Sequence, residues 1–100
     1  MRMKHVSEAI RREIDQARGG DRPVASVRVT ESALPGTVAA VSLSPERAES
    51  LRLDARLAEA AVEILVHPDD YAELLEEPGL ELGEDSGVRR VFGVPLIDAL

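Results

Sequence analysis

Residues 62–97 read VEILVHPDDYAELLEEPGLELGEDSGVRRVFGVPLI, and they hold a complete structural unit: a buried strand, a sharply started helix, an acidic loop and a second strand. Val62, Ile64 and Val66 alternate with Glu63 and Leu65, the period of a strand buried on at least one face, and Leu65 implies partial cover on the other. His67-Pro68 ends that strand. Proline offers a sheet no amide hydrogen, but its fixed φ suits entry into a helix, and Asp69 or Asp70 is placed to accept bonds from the first free helix amides. Tyr71, Leu74 and Leu75 share one helical face, Glu73, Glu76 and Glu77 face water, and Pro78-Gly79 is the expected stop after about two to three turns.

Beyond the helix, Leu80 and Leu82 alternate with Glu81 ahead of residues 83–87, a Gly-Glu-Asp-Ser-Gly run whose composition predicts a turn, so a hairpin is expected. Residues 88–97 then read as a strand, in which Gly93 and Pro95 point to an edge position, a bulge or close approach of another backbone. Only Asp98-Ala99-Leu100 follows. An edge of this kind can receive a strand from a neighbouring subunit, which makes Val91, Phe92, Val94, Leu96 and Ile97 candidate interface residues. Phe92 and Tyr71 also read as core fillers, because the chain has no other aromatic residue.

Met3, Val6, Ile10, Ile14 and Ala17 recur at three- and four-residue steps, so residues 3–18 are predicted to form an amphipathic helix ended by Gly19-Gly20. Two placements are open for its stripe. It packs on this domain's own sheet, or it docks on a partner through Val6, Ile10 and Ile14, with Gly19-Gly20-Asp21-Arg22-Pro23 as a flexible hinge. The second divides the chain into an arm, residues 1–20, and a domain, residues 21–100.

In the middle, residues 24–30 and 37–43 are β-rich, and Leu34-Pro35-Gly36 between them predicts a hairpin. Ser44-Pro45-Glu46 is a helix start, with serine as cap and proline at the first helical position. Residues 51–58 fit helix and strand periods equally well, and a short helix followed by a loop or a return to strand is expected. The sum is a single α+β domain: an N-terminal amphipathic helix, a mixed or antiparallel sheet of about four strands, and one or two short helices.

A strand running into His67-Pro68-Asp69-Asp70-Tyr71, a short helix, and a strand carrying Phe92-Gly93-Val94-Pro95-Leu96-Ile97 resemble, in this order, segments of the major capsid proteins of tailed phages. The stretch Val27-Arg28-Val29-Thr30-Glu31-Ser32-Ala33-Leu34-Pro35-Gly36-Thr37 also resembles a strand-and-loop of those proteins. Here that piece precedes the His-Pro-Asp-Asp unit instead of following the glycine-proline strand, and the chain is too short for a capsid protein's two domains. The resemblance covers roughly half the chain and implies a phage or prophage structural protein, with no catalytic position carried over.

Composition narrows the classes. With no cysteine there are no disulfides or thiolate metal sites, so cytoplasm and virion are both compatible. Residues 1–14 lack an apolar signal-peptide core, and no apolar run approaches membrane-span length. Residues 1–50 carry a net charge of +1 and residues 51–100 one of −8, which argues against a nucleic-acid partner. His67, Asp69 and Asp70 read as strand stop and helix cap and not as metal ligands; His5 has no catalytic companion; the serines lack nucleophile-elbow glycines; and no phosphate loop occurs. No cofactor or metal is expected. The function expected is a non-enzymatic structural protein of a tailed phage or prophage, capsid-associated, accessory or connector, acting by homo-oligomerisation with capsid or connector partners. The alternative is an acidic, antitoxin- or inhibitor-like regulator that binds another protein.

Overall fold

The computed structural model describes residues 6–76, 82–85 and 88–97. Met3, His5, the Pro78-Gly79 stop, Leu80, Ser86-Gly87 and Asp98-Ala99-Leu100 lie outside the described residues. In chain order the elements are α1 (Val6–Gly19), β1 (Val24–Val29), β2 (Ala39–Ser42), α2 (Pro45–Ser50), α3 (Ala55–Ala60), β3 (Val62–Val66), α4 (Pro68–Glu76), β4 (Leu82–Asp85), β5 (Val88–Val91) and β6 (Val94–Ile97). The class is α+β, with one mixed sheet of six strands in the order β2-β3-β1-β6-β5-β4, more than the four expected.

Helix α1 places Val6, Ile10 and Ile14 in the same core as Val27, Val29, Ile64, Val66, Leu74, Val91, Val94 and Leu96. Its stripe therefore packs on its own domain. The junction after it is not a loose hinge either. Arg22 N–H donates to the Ala17 carbonyl at 2.8 Å and Asp21 N–H to that of Arg18 at 3.1 Å, with Asp21 at φ 58°, which is the Schellman closure. Aspartate, one of the few side chains that tolerates the left-handed region, occupies the position that glycine usually takes.

The expected hairpin of residues 24–30 and 37–43 does not form. Strand β3 enters between the two, parallel to β1 and antiparallel to β2, because a strand buried on both faces belongs inside a sheet. The Leu34-Pro35-Gly36-Thr37 turn does form, with Thr37 N–H donating to the Leu34 carbonyl and Gly36 at φ 82°. It is tied away from β1 by Asp70 on α4, whose Oδ2 accepts from Gly36 N–H at 2.9 Å.

Ser44 caps α2 as expected, its side chain accepting from Arg47 N–H, with Pro45 first in the helix. Residues 51–58 resolve into a turn and a second helix. Arg52, at φ 55°, closes α2 while Leu53 N–H reaches the Ala48 carbonyl, and Asp54 Oδ1 accepts from Arg56 N–H at 2.8 Å to start α3.

Residues 88–97 are two strands, not one. Val91 pairs with Val94 across a two-residue turn in which Phe92 and Gly93 both have positive φ, 51° and 79°. Gly83, Glu84 and Asp85, expected in a turn, belong instead to β4 and pair antiparallel with β5. An added Cβ at Gly93 meets nothing within 4 Å, so Gly93→Ala is expected to cost about 1–2 kcal/mol through backbone conformation alone, read as a lower midpoint in urea with an unchanged slope.

Candidate interaction surfaces

The sheet's chemistry concentrates at one residue. A bulge between Val24 and Ser26 shifts the β1 register so that Ser26 lies beside Glu63 of β3, and the two-residue period puts Arg28 on the same face. Glu63, 1% exposed, accepts from Ser26 Oγ at 2.7 Å and from Arg47 of α2 at 2.7 Å through Oε2, and from Arg28 Nε at 3.0 Å through Oε1. Burial opposes its charge, but the hydrogen bonds from Arg47 and Ser26 and the positive charges of Arg28 and Arg47 outweigh it and hold the carboxyl below the ordinary glutamate value. Both oxygens are engaged inside the fold, so the cluster fastens α2 to β1 and β3.

The residues expected to form an interface are brought together, but inward. Val6, Ile10, Ile14, Val91, Val94 and Leu96 are buried in one core, Ile97 is half-buried, and Phe92 is 38% exposed at its turn with the Arg11 guanidinium 5.8 Å from its ring centre. Phe92 is thus not a core filler, whereas Tyr71 packs against the core and its hydroxyl accepts from Arg89 at 2.8 Å. Nor is β6 an edge, because it lies between β1 and β5. Pro95 is tolerated there because the described ladder with β1 begins only at Leu96, leaving no bond to β1 that its missing N–H would break.

The edges are β2 and β4. All four residues of β2 are exposed, Val41 among them, and the turn leading into it displays Leu34 at 71% exposure. A sequence signal for this surface exists, although the strand patterns do not reveal it: between Glu31 and Glu46 there is no charged residue, in a chain of which 31% is charged. Next to β2, Leu43, Pro45, Ala48, Leu53 and Ala58 line a cleft of about 460 Å³ between α2 and α3, with Glu49 and Glu59 also lining it.

His67, Asp69 and Asp70 divide their roles differently from the expected cap. His67 Nδ1 accepts from Asp69 N–H at 3.1 Å, so histidine itself caps α4, while the buried Asp70 holds the Gly36 turn and Asp69 is exposed. Accordingly Asp70→Ala is expected to lower stability by about 1–2 kcal/mol and Asp69→Ala by less than about 0.5 kcal/mol, measured as urea midpoints. Among the described residues no group of three or more His, Cys, Asp or Glu side chains is arranged to hold a metal, and no helix is long and apolar enough to cross a membrane. No protein-family model, curated protein or solved structure matches the chain.

Proposed function

We propose that this protein is a non-enzymatic structural or interaction protein of a tailed phage or prophage, a capsid-associated, accessory or connector component that works by self-association. The observation that carries self-association is the bare strand β2, whose four residues are all exposed at the end of a six-stranded sheet. Unpaired edge backbone recruits another strand unless something blocks it. Two further points support the phage assignment and the absence of catalysis. The pieces that resemble capsid-protein segments lie side by side, since β1 pairs with β6. Among the described residues the buried carboxylates are engaged inside the fold, Glu63 by Ser26, Arg28 and Arg47 and Asp70 by Gly36 N–H.

A tagged copy produced during phage growth is expected to sediment with particles in fixed stoichiometry. Recovery only as free protein would count against a virion role and favour the second reading, an acidic regulator that docks on another protein. That alternative draws on Phe92, an apolar ring displayed on a positive-φ turn. It predicts one cellular target and a monomer in isolation. Virion and host cytoplasm are the locations the two readings distinguish.

A further inference from the structure

We infer that two copies of the chain pair through β2, antiparallel about a two-fold axis at Val41, so that the sheet continues from one copy into the next. This rests on the self-association reading and names its surface. The two sheet edges differ in how they are protected. Strand β4 carries Glu84 and Asp85 within four residues, and charge is a usual means of keeping an edge from pairing. Strand β2, Ala39-Ala40-Val41-Ser42, carries none, and neither does the chain on either side of it from Ser32 to Pro45.

The choice of a second copy as the occupant follows from charge and symmetry. Joining β4 to β4 would gather the acidic residues of two strands in a chain whose net charge is already −7. Joining β2 to β4 is head-to-tail, so it would build a ring or a filament and would set the acidic strand of one copy against the uncharged strand of the next. Joining β2 to itself closes at two copies. In that register Val41 lies opposite its own copy and Ala40 opposite Ser42, so only small side chains meet and no charged residue of either strand is desolvated. Arg22 reaches Ser42 Oγ at 3.2 Å and so sits at the strand's end, and the Arg47 guanidinium is held by Glu63 on the neighbouring strand. A foreign strand selected by charge would find no charged residue on β2 to recognise.

Sedimentation of the full chain over a wide micromolar range is expected to give a concentration-dependent dimer. Val41→Lys should weaken dimerisation about tenfold or more by setting like charges near one axis, with the monomer's thermal midpoint little changed because Val41 is exposed. The chain has no cysteine, so Val41→Cys gives a single attachment point for a short bis-maleimide, and a cross-linked dimer is expected from it but not from Glu84→Cys. The cross-linking arm decides the matter even if Val41→Lys does not fold. A wild-type chain that is monomeric throughout overturns both the dimer and the self-association reading. An oligomer that survives Val41→Lys, or that cross-links through Glu84→Cys alone, overturns β2 as the interface and leaves self-association standing.

Discussion

Deletion of residues 1–20 is expected to abolish cooperative unfolding. Val6, Ile10 and Ile14 are each no more than 1% exposed, and they cover the sheet face formed by Val27, Val29, Ile64 and Val66. Burying three side chains of this size contributes roughly 5–9 kcal/mol, comparable with the whole stability of a domain this small. A hinged arm would be dispensable, but the Schellman closure at Asp21 fixes the helix's exit, and without α1 the core keeps only Leu74 and Tyr71 of α4 as helical cover among the described residues. The check is a urea titration followed by far-ultraviolet circular dichroism. A sharp sigmoidal transition in the truncated chain would show that strands and α4 suffice. A milder form of the same test is Ile10→Ala, expected to cost about 2–5 kcal/mol through the cavity it leaves.

Glu63→Ala is expected to destabilise the fold by about 2–4 kcal/mol, lowering the thermal midpoint by roughly 10–20 °C. Three hydrogen bonds are lost and two guanidinium groups are left without their carboxylate. The cost stays below that of a wholly buried pair because the Arg28 and Arg47 side chains are 30% and 25% exposed, so water can reach them. The pH dependence has a definite sign. The folded carboxyl titrates below its unfolded value, so its contribution is fully present above the ordinary glutamate pKa, about 4.3, and is lost as pH falls through the lower folded value. Urea midpoints taken from about pH 7 to about pH 3 should therefore decline for the wild type, and Glu63→Gln should lack the part of that slope due to this residue. Identical slopes in the two proteins would remove Glu63 as a source of acid sensitivity.

Local features of the fold were legible in the residues. The stripe of α1, the Ser44-Pro45 helix start, the alternation of β3, the turn at Pro35-Gly36 and the break at His67-Pro68 each depend on neighbours within a few positions. Strand order was not. That β3 separates β1 from β2 follows from pairing between distant segments, which periodicity within either segment does not encode. The partners of Glu63 lie 37, 35 and 16 residues away, so an isolated glutamate among apolar residues revealed its strand but not its company. Backbone reversals were missed where an unusual residue made them. Arg52 and Phe92 take positive φ without being glycine, and the Phe92 turn split what reads as one strand into two. The apolar residues Val91, Val94 and Leu96 suggest an interface in the sequence, but the core claims them; the exposed edge is marked instead by an absence of charge around β2.

The place of β1 in the sheet sets when this protein can fold during its synthesis. Strand β1 leaves the ribosome early, yet one of its two neighbours is β3 and the other is β6, which ends at Ile97. Until residue 97 has cleared the exit tunnel, one side of β1 has no strand to bond, and Leu96, Val94 and Val91 cannot complete the core beneath α1. Between the emergence of β1 and that of β6 the nascent chain therefore carries unpaired strand backbone, the condition in which chains stick to one another. Because β1 waits for β6, the speed of folding is governed by bringing distant segments together more than by forming any single helix.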